Sequence, residues 1–235
     1  MSLSQRGKKI SGHSHILHRD FHVDHFVPDT DTPPCFQLVL FGGSGMGEAE
    51  YMNRAESVVP VFNQYLDELE KEWLDTPFCF TYITAPFDIG FRKMAADEEM
   101  REKWTAHIKD EVLPTLLDLP MYWIGYSGGL ILGWYGMGED ERCFGGSALG
   151  GDQVSEDFYC PPQWQEELRL YYNPHDLVYR ANRSVIDQLV ANGEAACFKT
   201  RFGSHNLVDY LKNESFCGLA RRAAACFREK YGLGG

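Results

Sequence analysis

The chain alternates short apolar runs with longer segments in which apolar residues recur at helical spacing. The short runs predict strands and the longer segments predict helices. The predicted strands are 35–43, 78–87, 121–127, 143–151, 168–179 and 196–203. The predicted helices are 48–74 with a break at Pro60, 96–117, 128–137, 182–192 and 206–231. This alternation predicts parallel βαβ units, and therefore an α/β fold with a mostly parallel central sheet and helices on both faces.

The helix predicted over 182–192 has one apolar face and an end signal. Gly193 follows it as a plausible C-cap. The residues expected on the apolar face are Val185, Ile186, Leu189 and Val190.

One stretch outside the strand–helix pattern is rich in histidine. Five of the eight histidines lie near the N-terminus, at His13, His15, His18, His22 and His25. A metal site there would need converging ligands, whereas side chains of an extended strand alternate between its faces. We therefore expect an exposed antiparallel edge hairpin in this region, and no metal.

The charge and cysteine content limit the possible partners and compartment. The formal net charge is -12, from 22 basic and 34 acidic residues, which argues against nucleic acid or an anionic membrane as the main partner. No apolar stretch is long enough to cross a bilayer, and no signal peptide is evident. Five of the seven cysteines precede a phenylalanine, which favours small buried thiols in a reducing compartment over disulfides or a redox role. We expect a cytoplasmic protein of undetermined oligomeric state.

The segment Gly125-Tyr126-Ser127-Gly128-Gly129 fits the pattern G-x-S-x-G between a predicted strand and a predicted helix. In a nucleophile elbow the serine turns sharply from strand to helix, and a side chain on the flanking residues would clash with the crossing backbone. The alternative is a structural glycine turn. The flanking strand and helix favour Ser127 as a nucleophile.

A serine nucleophile needs a base and a carboxylate that orients the base. Two histidines follow Ser127, and His205 comes directly after the last predicted strand, whereas His175 is a direct neighbour of Asp176. Asp176 follows the preceding strand, and Asp152 is its rival. We predict the set Ser127, Asp176 and His205.

The oxyanion that forms during acyl transfer needs preorganised donors. The N–H of Gly128, directly after the nucleophile, is one candidate. Gly43 in "LFGGSGMG" (40–47) is our first choice for the second donor, with Ser44 as its neighbour. Met46 and Tyr126 are candidates for contact with the substrate.

These motifs resemble those of the lidless α/β-hydrolases, the group of carboxylesterases, phospholipases, acyl-thioesterases and dienelactone hydrolases. The resemblance runs from about Cys35 to the C-terminus. It rests on the segments "LFGGSGMG", "GYSGG", "GGSALGG", "LYYNPHDLVYRANRSVIDQLVANG" and "FKTRFGSHNL". It implies one α/β-hydrolase domain over 1–235, with edge strands or a tail in 1–34 and the catalytic core in 35–235. It also implies cleavage of a carboxylic ester or thioester of a small-molecule or acylated substrate, through an acyl-serine and without a cofactor.

Several positions depart from the family pattern. Phe41 replaces a histidine, Asn173-Pro174 stands where His-Gly is common, and Ser204 replaces a glycine. The segment 152–167 is too short for a helical cap, so we expect an open site and no large cap.

Two other functions are compatible with the sequence. The chain could be a non-catalytic binding protein of the same fold. The glycines of 41–47 could instead hold S-adenosylmethionine or a nucleotide, although the G-x-G-x-x-G spacing is absent and this function would leave the elbow unexplained.

Overall fold

The computed structural model describes residues 7–27, 31–43, 76–83, 96–152, 168–200, 205–212 and 215–232. Within these ranges eight strands form one sheet, in the order β1-β2-β4-β3-β5-β6-β7-β8. They are β1 (Gly7–Ser14), β2 (Arg19–Phe26), β3 (Phe36–Phe41), β4 (Phe78–Ile83), β5 (Met121–Tyr126), β6 (Cys143–Leu149), β7 (Leu168–Tyr172) and β8 (Ala195–Lys199).

The sheet is parallel from β4 through β3 and β5 to β8, and antiparallel at one edge. There β1 pairs with β2, and β2 pairs antiparallel with β4. The predictions of a mostly parallel sheet and of an N-terminal antiparallel edge hairpin are therefore confirmed. Among the described residues, no three His, Cys, Asp or Glu side chains form a group that could hold a metal ion.

The described helices follow the strands in alternation. They are α1 (Glu98–Ala106), α2 (Gly129–Met137), α3 (Leu177–Ala191), α4 (Leu207–Lys212) and α5 (Ser215–Tyr231). The side chain of Asp97 caps α1 by accepting from the N–H of Met100. The helical path continues beyond α1 through a π-helical turn, His107–Val112, and a short 3-10 turn, Leu113–Thr115. The helix predicted over 48–74 lies outside the described residues.

Four sequence predictions about these elements need correction. The strand predicted over 168–179 ends at Tyr172, because Asp176 caps a helix that begins at Leu177. That helix therefore starts five residues before the predicted 182. Val190 is 41% exposed rather than part of the buried face. The segment 206–231 contains two helices, α4 and α5, where we predicted one.

Apolar side chains on the two faces of the sheet form separate core clusters. One cluster joins β3 and β5 to α1, α2 and α3, through residues such as Trp123, Trp104 and Ile186. The other joins the same strands to α4 and α5, through residues such as Tyr122 and Phe227. Helices thus cover both faces, as a largely parallel sheet requires.

A cluster of polar side chains links the edge hairpin to the π-helical turn through hydrogen bonds. One oxygen of Glu111 accepts from the hydroxyl of Ser14 and from His107 Nδ1, the latter at 2.7 Å. The other oxygen accepts from the N–H of His15 at 2.8 Å. We call Ser14, His107 and Glu111 the hairpin cluster.

The thiols of Cys79 and Cys143 are buried, and burial raises the pKa of each to about 12. They therefore remain protonated and pack as small apolar side chains, as the sequence predicts. None of the helices in the described part of the chain has the length and apolar character that a membrane span needs.

Candidate active site

Three polar side chains meet at the carboxyl edge of the parallel strands. Ser127 directly follows β5, Asp176 follows β7, and His205 lies beyond β8. His205 Nε2 lies 2.8 Å from Ser127 Oγ, and His205 Nδ1 lies 2.8 Å from Asp176 Oδ2. The structure thus brings together the three residues that the sequence predicts as nucleophile, acid and base.

Ser127 adopts a left-handed backbone conformation with φ of 53°. This conformation costs a residue with a side chain about 1–2 kcal/mol. Three backbone hydrogen bonds hold it in place. The N–H of Ser127 donates to Leu149 O at 3.0 Å, and its carbonyl accepts from the N–H groups of Leu130 at 3.1 Å and Asp152 at 3.0 Å. Strain that the surroundings fix in this way is typical of functional positions.

The glycines on both sides of Ser127 are required by crowding. A Cβ on Gly125 would lie 2.5 Å from the backbone nitrogen of Leu130. A Cβ on Gly129 would lie 2.2 Å from the carbonyl oxygen of Phe41. Neither neighbour can move away, because both belong to the backbone of a regular element. The steric reason for the G-x-S-x-G spacing is therefore present in the structure.

Asp176 is a buried carboxylate with three hydrogen-bond donors. Its Oδ1 accepts from the N–H of Val178 at the start of α3, and its Oδ2 accepts from His205 and from the hydroxyl of Tyr210. Burial acts to raise the pKa of Asp176, but the hydrogen bonds from His205 and Tyr210 outweigh burial and hold the pKa below its ordinary value.

The ionised state of Asp176 determines which nitrogen of His205 carries the proton. A carboxylate can only accept hydrogen bonds, so Nδ1 must donate its proton to Asp176. Nε2 of the neutral ring is then an acceptor and faces the hydroxyl of Ser127. This arrangement prepares His205 to receive a proton from the serine.

The rival candidates for base and acid are placed differently. His175 is exposed, and its N–H donates to Asn173 Oδ1 at 2.9 Å. The backbone N–H of Asp152 donates to the Ser127 carbonyl, whereas the hydrogen bond of His205 Nδ1 goes to Asp176. The geometry therefore favours His205 and Asp176.

Both glycines predicted as oxyanion donors border Ser127. Gly128 is the N-cap residue of α2, where backbone N–H groups and the positive end of the helix dipole favour a negative charge. A Cβ on Gly43 would lie 3.1 Å from the Cβ of Ser127. Their role as donors stays a prediction, and Ser44 and Met46 lie outside the described residues.

Tyr126, predicted to contact the substrate, is only 5% exposed and stacks on the base. Its ring lies 5.6 Å from the imidazole of His205, centroid to centroid, with 23° between the planes. The ring thus limits the orientation of His205, and contact with a substrate stays a prediction.

Tyr210 is the site neighbour that the sequence does not reveal. Its hydroxyl lies 2.8 Å from Asp176 Oδ2, and its side chain is 1% exposed. It is one of twelve tyrosines and belongs to no motif. The one available signal is that Tyr210 lies in the helix that follows His205. A helix so close in sequence to the predicted base has one side near the site.

No protein-family model matches the chain, and no curated protein matches it in sequence. Solved structures do resemble it. One is a ferulic acid esterase, with a TM-score of 0.63, 10% identity, and coverage of 94% of this chain and 99% of the esterase. A second is the enterochelin esterase of Shigella flexneri, with a TM-score of 0.61, 15% identity, and coverage of 98% of this chain but 62% of the esterase.

A third similar structure is the fluorophosphonate-binding serine hydrolase F of Staphylococcus aureus. Its TM-score is 0.57 at 14% identity, with coverage of 97% of this chain and 99% of the hydrolase. At such identities the likeness defines the fold alone, and this chain has the α/β-hydrolase fold.

Proposed function

We propose that the protein is a serine hydrolase that cleaves a carboxylic ester or thioester through an acyl-serine intermediate. The observation that carries this proposal is the chain of hydrogen bonds from Ser127 through His205 to Asp176, which begins at a strained turn between β5 and α2. The names of the similar structures, among them two esterases and a serine hydrolase, support the same class of reaction.

Acylation begins when Ser127 Oγ attacks the carbonyl carbon of the substrate and its proton passes to His205 Nε2. Asp176 stabilises the imidazolium that forms. The oxyanion accepts hydrogen bonds from the N–H groups of Gly128 and Gly43. As the tetrahedral intermediate collapses, the bond from the carbonyl carbon to the leaving oxygen or sulfur breaks, and His205 gives its proton to the departing alcohol or thiol.

Deacylation repeats these steps with water as the nucleophile. His205 removes a proton from water, which attacks the acyl carbon, and the Ser127 oxygen leaves and takes the proton back. The reaction consumes one water and releases a carboxylic acid. All of these steps use side chains and backbone groups of this chain, so the proposal includes no cofactor.

The substrate in this proposal is a small-molecule or acylated compound, not nucleic acid or an integral membrane component. The acidic net charge of -12 supports the exclusion of nucleic acid. A cytoplasmic location is part of the proposal and is supported by Cys35, Cys79, Cys143 and Cys197, which are thiols outside any disulfide.

The test is turnover of p-nitrophenyl esters and of acyl thioesters, with intact-mass detection of the acyl-enzyme after rapid quenching. We expect a mass increase of one acyl group on Ser127, absent in Ser127→Ala, and steady release of product. If folded protein hydrolyses neither class and forms no adduct, the enzyme proposal fails and a non-catalytic binding protein replaces it.

A further inference from the structure

We propose that Tyr210 is a positioning residue that holds the carboxylate of Asp176 toward His205 and reduces the charge that Asp176 Oδ2 presents to the imidazole. This inference rests on the proposed function, because it assigns Tyr210 a part in preparing His205 as the base.

The direction of each hydrogen bond at the Tyr210 hydroxyl follows from its neighbours. The N–H of Asn173 lies 3.1 Å from the hydroxyl oxygen and can only donate to it. Asp176 Oδ2, at 2.8 Å, belongs to a carboxylate and can only accept. The single proton of the hydroxyl must therefore point at Asp176. The backbone of the loop after β7 thus orients the donor that acts on the acid of the same loop.

The surroundings keep the hydroxyl protonated and in place. Burial, together with the nearby charge of Asp176, raises the pKa of Tyr210 far above its ordinary value. Gly150 has a φ of 55°, and a Cβ there would lie 2.7 Å from the Tyr210 oxygen. A side chain at position 150 would therefore crowd the Tyr210 hydroxyl.

Tyr210 and His205 donate to the same oxygen of Asp176. Other titratable groups that face this pair in the described part of the chain are Tyr126, on the imidazole, and Tyr172 of β7, whose pKa is raised by burial and by neighbours that include Asp176. The hydroxyl of Tyr172 donates to Gly151 O at 2.7 Å.

Removal of the Tyr210 hydroxyl should have two consequences. Without the hydrogen bond from Tyr210, Oδ2 presents more negative charge to the imidazolium, so His205 should hold its proton to a higher pH. The carboxylate also loses one of the contacts that fix its orientation, so the transfer of the Ser127 proton should slow.

The experiment compares Tyr210→Phe with Tyr122→Phe. Tyr122 is a matched control, since it is fully buried and its hydroxyl bonds to Ser147 Oγ at 2.6 Å, away from Asp176. The rate at which a fluorophosphonate modifies Ser127 is measured from pH 5 to pH 9, and the titration of His205 is followed by NMR on protein with ¹⁵N-labelled histidine. Circular dichroism and unfolding curves establish that each variant is folded.

For Tyr210→Phe we expect the maximal labelling rate to fall about tenfold, because a carboxylate held less firmly orients the imidazole less well. We expect the midpoint of the pH profile and of the His205 titration to rise, because Asp176 then presents more charge to the imidazolium. Tyr122→Phe should leave both midpoints and the rate unchanged while it lowers stability.

The inference is overturned if folded Tyr210→Phe keeps the wild-type midpoints, or if Tyr122→Phe shifts them equally. If Ser127 of the wild-type protein does not react at all, the proposed function fails. The NMR titration still decides whether Tyr210 acts on His205, so the two failures can be told apart.

Discussion

Two clusters among the described residues are made of one serine, one histidine and one carboxylate, and they differ in which group lies between the other two. At the site, His205 lies between Ser127 and Asp176 and bonds to each through a different ring nitrogen. In the hairpin cluster, Glu111 lies between Ser14 and His107 and bonds to both through one oxygen.

The two clusters also differ in which member is exposed to solvent: the histidine in the first and the carboxylate in the second. The side chain of His205 is 28% exposed, and that of Asp176 is fully buried. In the hairpin cluster the histidine is 2% exposed and the glutamate 16%. A substrate can therefore approach the proton acceptor of the first cluster, whereas burial lowers the pKa of His107 and keeps it from solvent.

The two clusters differ in connectivity and not in residue type. A neutral imidazole can take the serine proton and pass it on, because it has one donor and one acceptor nitrogen. The carboxylate of Glu111 has a pKa of about 2: burial acts to raise it, but the bonds from His107, Ser14 and the His15 backbone outweigh burial. It is too weak a base to activate Ser14.

The largest predicted difference between the clusters is in kcat, when the serine of each is replaced by alanine. Ser127→Ala should lower kcat for an ester about 10⁶-fold, because the nucleophile is lost. Ser14→Ala should leave kcat unchanged, because its hydroxyl only anchors the hairpin turn. Equal losses in two folded variants would abolish the distinction between the clusters.

Replacement of the site carboxylate should have the next largest effect. Asp176→Asn keeps the size of the side chain, but its amide can donate to His205 Nδ1 and stabilise the wrong tautomer. We expect kcat/KM to fall about 10⁴-fold near neutral pH. A loss smaller than tenfold would mean that another group orients His205.

The corresponding change in the hairpin cluster should affect stability and not activity. Glu111→Gln removes the charged acceptor shared by Ser14, His107 and the His15 backbone, so the free energy of unfolding in urea at pH 7 should fall by about 2 kcal/mol. The pKa of Glu111 is lowered from 4.5 to about 2 in the folded chain. Its stabilising effect is therefore complete above pH 4.5 and is lost as the pH falls toward 2.

The difference in the free energy of unfolding between wild type and Glu111→Gln should therefore become smaller below pH 4.5. A difference that stays constant from pH 7 to pH 3 would show that the charge of Glu111 does not contribute. Activity at neutral pH serves as the control and should be retained.

The backbone strain at Ser127 gives the smallest predicted effect. Ser127→Gly should be more stable than Ser127→Ala by about 1 kcal/mol, because glycine adopts a positive φ without a steric penalty. Both variants lack the nucleophile, so the difference between their unfolding free energies reflects the backbone strain, reduced by the extra entropy that glycine gives the unfolded chain. Equal stability would mean that the elbow is not strained.

Much of the fold and the site could be predicted because the signals are local. The buried strands are short apolar runs, and the glycines around Ser127 mark the elbow before any contact is known. The boundary between β7 and α3 was harder to predict, since "LVY" after Asp176 is apolar enough for either element. The cap formed by Asp176 at Val178 decides in favour of the helix.

Contacts between distant segments could not be predicted in this way. Glu111 meets Ser14 across 97 positions of the chain, and Tyr210 meets Asp176 across 34. Neither residue stands in a motif, and only the packing of the elements around the sheet brings the partners together. The residues proposed to carry the reaction could be predicted from sequence patterns, whereas the residues that hold them in place depend on tertiary structure.

The most direct test of the account is the location of a fluorophosphonate adduct in the native protein, by peptide mass spectrometry of wild type, Ser127→Ala and Ser14→Ala. The account predicts one adduct, on Ser127, that is retained in Ser14→Ala and lost in Ser127→Ala. An unmodified folded wild type, or an adduct that persists in Ser127→Ala, would contradict the claim that the cluster with histidine in the middle is the reactive one.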